Sequence, residues 1–108
     1  MTEPSALSGL PAGLVAYRRT PIFDQDTIPA SLRREHRTAA GVWGLITVLE
    51  GRLRFRTLRP ARETVLALGT PMAVAPQQPH EVDPDGPVRF FVEFYRAADP
   101  ASSGAGRA

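Results

Sequence analysis

Cysteine is absent from the 108 residues, which excludes disulfides, thiolate metal sites and a cysteine nucleophile together. Lysine is missing too: all 13 basic residues are arginine. With 11 acidic residues the formal charge is only +2, and late-titrating guanidinium makes the chain look more basic than that balance warrants. Long apolar runs are lacking. The longest, Val42 to Leu49, is broken by Gly44 and is far too short to span a bilayer. The start Met1-Thr2-Glu3-Pro4 has neither the basic residues nor the apolar stretch of an export signal, so a cytoplasmic protein with no membrane partner is expected. Histidine occurs only twice, at positions 36 and 80.

What is present reads as one small β domain. At this length a single core is the limit, and no internal repeat appears. Residues 1–13 and 97–108 are rich in Ser, Gly, Pro and Ala, and are expected to be a flexible lead-in and a disordered tail around an ordered domain over 14–96. Strand signals run over residues 42–50, 52–58, 64–68, 72–75, 80–83 and 88–95. Turn formers separate them: Glu50-Gly51, Arg59 to Glu63, Gly69-Thr70-Pro71, Pro76 to Pro79, and Pro84-Asp85-Gly86-Pro87. Six short strands without helical periodicity between them predict a sandwich or barrel. Residues 29–34 fit either a turn of helix or an extended lead into the His36 segment.

Arg52, Arg54 and Arg56 alternate with Leu53, Phe55 and Thr57, the period of a half-buried strand showing one side to water. No aromatic platform or recognition helix accompanies them, so a solvated face is expected rather than a nucleic-acid surface. Trp43, Phe55, Phe90 and Phe94 are expected in the core, and Tyr17 and Tyr95 at an interface or in the core. No serine stands in a recognisable nucleophile elbow.

The two histidines carry the chemistry. Each lies beside a strand, and a barrel mouth that receives one imidazole from each half of its sheet can hold a divalent metal. Two imidazoles alone hold an ion weakly, so a carboxylate is the natural third ligand. Glu93 is the first candidate, a charge set among aromatics in Phe90-Phe91-Val92-Glu93-Phe94-Tyr95. Ligation and pairing with an arginine are both open to it, and it shares a strand face with Arg89, Phe91 and Tyr95. Glu35, Glu81 and Asp83 fall on faces opposite the histidines and are weaker candidates.

The stretch from Gly69 to His80, a glycine turn, a strand and a proline turn ending in histidine, resembles the second cupin motif. His36 lies where the first motif places its histidines, although that motif usually has two histidines and a glutamate, and here Trp43-Gly44 stand near the glutamate position. The wider series Tyr17, Arg19, Thr20-Pro21, Phe23, Thr27, Pro29, Leu32, His36, Thr38, Gly41, Trp43-Gly44, Val48-Leu49, Gly51, Leu53, Pro76, Pro79-His80, Val82 and Phe94-Tyr95 resembles the TehB/YeaR-like family of small bacterial, tellurite-resistance-related proteins. The resemblance implies a cupin-type barrel and a bound divalent ion, with zinc the expected cofactor. Some TehB proteins join this domain to an S-adenosylmethionine-dependent methyltransferase. The present sequence has no glycine-rich strand-to-helix fingerprint, so methyl transfer is not expected of it.

The expectation is therefore an all-β, single-domain, cupin-like (double-stranded β-helix or jelly-roll) barrel. It binds a divalent metal through His36, His80 and Glu93, takes a small-molecule or oxyanion ligand, serves in oxyanion stress and forms a homodimer through its proline-marked edge segments. The rival reading is a non-catalytic ligand-binding or sensor module.

Overall fold

The computed structural model describes residues 9–98. Residues 1–8 and 99–108, most of the expected lead-in and tail, lie outside the described residues. The elements in chain order are β1 (Leu14–Arg19), β2 (Phe23–Asp24), a 3-10 turn (Ala30–Arg33), β3 (Trp43–Leu58), β4 (Ala61–Leu66), β5 (Met72–Val74) and β6 (His80–Ala97). The domain is all-β, and no helix among the described residues is long and apolar enough to cross a membrane.

One antiparallel ladder dominates. β3 pairs with β6 from Trp43 opposite Tyr95 to Thr57 opposite His80. β4 and β5 share the far side of β3, while β1 and β2 share the far side of β6, giving the order β1-β6-β3-β4. Among the described residues the sheet does not close on itself, so the closed jelly-roll barrel expected from the sequence is corrected to an open, strongly bent antiparallel sheet. The reason is the shortness of β2 and β5, which cover only two and three residues of their partners and leave the outer strands β1 and β4 as free edges.

Alternation along the two long strands sets inside from outside. On β3 Ile46, Val48, Leu53 and Phe55 point inward, and on β6 His80, Val82, Val88 and Phe90 do the same. Phe90 and Leu53 are wholly buried. Ile28, Leu66 and Val74 complete this core. Trp43, expected inside, is only half-buried; it lies opposite Tyr95 on the outer side of the ladder, because the residue that follows it, Gly44, holds the inward position.

Two expected turns are not turns. The chain runs through Glu50-Gly51 and through Pro84 to Pro87 without reversing, because the two segments lie against each other in the same ladder. Register slips between Val48 and Glu50 and between Gly51 and Leu53, and Asp85, Gly86 and Pro87 stand between the partners of Gly51 and Leu53. These are bulges, which bend and twist a ribbon where a plain ladder would stay flat. Gly51 adopts φ +74°, and a Cβ there would meet the Pro87 carbonyl carbon at 2.9 Å and Val88 Cα at 3.0 Å.

The arginine stripe faces outward as its period predicts, and it is matched by carboxylates. Arg56 reaches Asp83 at 2.7 Å and Glu81 at 3.1 Å, Arg54 reaches Glu63 at 3.0 Å, and Arg52 reaches Asp85 at 3.1 Å. These pairs are partly exposed, so each contributes only about 0.2–1 kcal/mol, and their main effect is to neutralise the stripe. Ahead of β1 Leu10 is buried, and Ala97 at the end of β6 pairs with Leu14.

The bend at Gly51 makes a sharp prediction. Gly51→Ala combines a left-handed backbone with a collision against fixed main chain and should cost about 3 kcal/mol or more. Gly69→Ala, at φ +90° with nothing within 4 Å of the new Cβ, should cost only about 1 kcal/mol. Urea unfolding of the two variants checks this; equal losses would mean that the bend is not fixed by the Gly51 to Pro87 contact.

Candidate functional site

The bent sheet holds a cavity of about 230 Å³ on its inner side. β6 supplies Val82, Phe90, Val92 and Phe94 to its wall, β3 supplies Gly44 and Ile46, and β2 and β5 add Phe23 and Val74. Polar groups enter from the rim: Arg18 on β1 and Thr20 just after it, Ser31 from the 3-10 turn, then Thr38, His36 and His80.

The structure brings the two histidines together. Their main chains form an isolated antiparallel bridge, in which His36 N donates to His80 O at 2.8 Å and His80 N to His36 O at 2.9 Å. Their rings meet edge to face with centroids 5.3 Å apart, and Phe55 stacks on His80 at 5.8 Å. Pro79 ends the preceding turn, so that β6 begins at His80 with its ring already inward; only 5% of His80 is exposed.

Hydrogen bonding fixes the state of one ring. His80 Nδ1 lies 2.9 Å from the Gln78 carbonyl, which can only accept, so the proton sits on Nδ1 and the lone pair on Nε2. Burial pushes the His80 imidazolium down from its ordinary range; the Gln78 carbonyl opposes this and the neighbouring His36 adds to it. Burial likewise lowers His36. Both rings are therefore neutral at pH 7. His36 Nδ1 is buried without a hydrogen-bond partner within the protein, an arrangement that costs about 1–3 kcal/mol unless a bound group completes it.

Glu93 is not in this site. It is an odd-numbered residue of β6, pointing to the outer face, while Phe90, Val92 and Phe94 point into the cavity. There it accepts from Arg19 at 2.8 Å and from the Tyr95 hydroxyl at 3.3 Å, and Arg19 lies over the Phe91 ring at 4.5 Å. Its place as third metal ligand is thereby corrected to an arginine pair. Glu35, Glu81 and Asp83 also pair with arginines. Among the described residues no three His, Cys, Asp or Glu side chains come together at one point.

Several lining residues carried no assigned role in the sequence. Thr20, Thr38 and Gly44 belong to the series that carries the resemblance, but nothing local marks them as lining. Arg18 faces the cavity because a slip between Ala16 and Arg18 sets it opposite Phe94, and only strand register reveals that.

A model of the TehB-like domain family matches residues 18–92. The chain is 32% identical over 75 residues to the Haemophilus influenzae protein named "Probable S-adenosyl-L-methionine-dependent methyltransferase TehB", an alignment covering 65% of this chain and 26% of that protein. It thus spans about a quarter of the length of the curated relatives it matches. The crystal structure of TehB from H. influenzae superposes with a TM-score of 0.75 at 27% identity, over 85% of this chain and 35% of that one. An E. coli K12 protein superposes at TM-score 0.74 and 20% identity, over 82% of this chain and 96% of that one, and FeII HppE at 0.53 and 18%, over 76% and 42%; these two likenesses concern the fold alone. The curated relatives are named for methyl transfer from S-adenosylmethionine and not for a bound metal. With the two-donor site described above, that overturns the expectation of a zinc-dependent metal protein of oxyanion stress. A match over residues 18–92 and a shared fold with TehB place this chain in the TehB-like family.

Proposed function

We propose that this TehB-like domain is a non-catalytic binding module, a cupin-like cup that holds a small molecule between apolar walls and a neutral histidine pair. The observation that carries this reading is the cavity itself with the neutral pair in its wall: both histidines line it, and the His80 ring, held by the Gln78 carbonyl at Nδ1, turns its lone pair to Nε2. An enclosed, mostly apolar space with a few polar groups in its wall is the usual form of a small-molecule site.

S-adenosylmethionine does not fit these residues. A space of about 230 Å³ suits a single ring or short chain and not an adenosine joined to an amino acid, and the described residues offer no glycine-rich strand-to-helix turn. Methyl transfer in the relatives then belongs to the three quarters of their length that this domain does not match, with the cup serving as a separate ligand site.

Gly44 provides a gentle way to test the cup. A Cβ added there would sit 3.7 Å from Val74, 3.8 Å from Val92 and 3.9 Å from Thr38, ordinary contacts that fill the floor without strain. In an NMR screen with small alcohols, amides and acids, hits should shift His36, Ile46, His80 and Val92. Gly44→Ala should weaken them by roughly fivefold, about 1 kcal/mol, while leaving stability equal or slightly higher. Hits that map elsewhere, or that ignore Gly44→Ala, would sink the reading.

The neutral pair has its own signature. Both histidines titrate below their unfolded value of 6.5 when folded, so below that pH the unfolded chain binds more protons. Stability is full above about pH 6.5 and falls as pH drops toward the folded values, with a ceiling of about 1.4 kcal/mol per pH unit for each histidine. Urea melts between pH 7.5 and pH 5.5 should show this decline, and the double variant His36→Gln, His80→Gln should flatten it. An unchanged slope in that variant would place the titration elsewhere.

A further inference from the structure

Two of the three hydroxyls at the cavity, those of Thr20 and Thr38, are already used. Thr20 Oγ1 donates to the Pro21 carbonyl at 2.8 Å and accepts from Val92 N at 3.0 Å. Thr38 Oγ1 donates to the Val42 carbonyl at 2.7 Å and accepts from Gln77 N at 3.2 Å. What stays free for a ligand among the described residues is one cation at the mouth, the Ser31 hydroxyl at the rim and the acceptor on His80; His36 Nδ1 also lacks a partner but is closed off from the cavity.

Arg18 is that cation. Its neighbour Arg19 and the arginines of β3 are ion-paired, whereas Arg18 pairs with no carboxylate among the described residues. Its guanidinium carbon lies 5.9 Å from the Phe94 ring centroid, at the outer limit of a cation–π contact, and its N–H donors meet no acceptor among the described residues. No aspartate or glutamate lines the cavity. The local charge is therefore positive at the rim, above walls of Val, Ile and Phe.

We propose that the pocket takes a small organic acid bound as its anion, with the carboxylate against Arg18 and a hydroxyl or N–H of the same molecule donating to His80 Nε2. The proposal rests on the reading of the cavity as a ligand site and names what that site selects. Guanidinium suits a carboxylate because its fork of donors matches the two oxygens, and the contact is stronger than a neutral one. A bare inorganic oxyanion fits poorly, since it would lose its hydration among apolar walls and gain a single cation in return. An organic body instead buries its own apolar surface against those walls. The size is bounded as well: about 230 Å³ equals the share of roughly seven or eight waters, the scale of a single ring or short chain.

The test compares acids with neutral partners of equal shape. The 2-, 3- and 4-hydroxybenzoates, the three matching hydroxybenzamides and inorganic phosphate are titrated at pH 7.5 by NMR and calorimetry. At least one hydroxybenzoate should bind beside Ile46 and Val92 roughly tenfold more tightly than its amide, the step of one charge-assisted hydrogen bond. Arg18→Gln, at an exposed position, should keep the fold and bring acid and amide to equal affinity. Replacing hydroxybenzoate by benzoate should cost a further several-fold if His80 accepts the hydroxyl. Amides that bind as tightly as acids would overturn the acid assignment while leaving the ligand site standing. Phosphate bound in preference to every acid would also overturn it. Silence from all seven probes would refute the organic-acid class, and the wider screen with Gly44→Ala then decides separately whether the cavity is a site at all.

Discussion

The structure depends on one ribbon, the antiparallel pairing of β3 with β6. It runs from Trp43 opposite Tyr95 to Thr57 opposite His80, and every other strand hangs from one of its edges. A flat ladder of this length would have no interior. The bulges at Val48/Glu50 and Gly51/Leu53, matched by the extra residues Asp85 to Pro87, bend it so that its inner face wraps a core and a cavity. Each short strand then has only to pair locally: β5 against Gly44 to Ile46, β2 against Arg89 and Phe90.

The bend also sorts charge from cavity. Odd-numbered residues of β6 and even-numbered arginines of β3 face water and pair with one another, so the outer face is a mesh of short ion pairs that binds little net charge. The inner face carries apolar side chains and two imidazoles kept neutral by burial. Their main-chain bridge makes the pair rigid at the backbone, and the Gln78 carbonyl on His80 Nδ1 leaves the acceptor of that ring at Nε2.

Much of this was legible in the sequence, and the failures share one cause. The strand positions, the inward period of Leu53 and Phe55 and the meeting of His36 with His80 all follow from alternation and from the resemblance. Glu50-Gly51 and Pro84 to Pro87 were read as reversals because glycine and proline punctuate turns more often than bulges, and nothing local distinguishes the two. Reading a break at residues 84–87 resets the phase of the strand. Without that break His80 and Glu93 differ in parity, and Glu93 falls outward, beside Arg19. The facing of Glu93 is thus set by the continuity of β6 through residues 84–87, six to nine positions earlier in the chain. Arg18 was invisible for a related reason, since its facing is set by a slip in pairing and not by its neighbours in sequence.

Two imidazoles in a cup suggest a metal by habit, yet the donor set here has a different character. Tight zinc sites draw on three or four protein donors, including anionic ones where charge must be balanced. The nearest carboxylates are all committed to arginines across the sheet, and moving one inward would strand its partner as well as bury a charge. What the inner face offers is one fixed lone pair, one incomplete nitrogen and a cation at the rim. That combination suits a molecule bringing its own negative charge and its own proton donor.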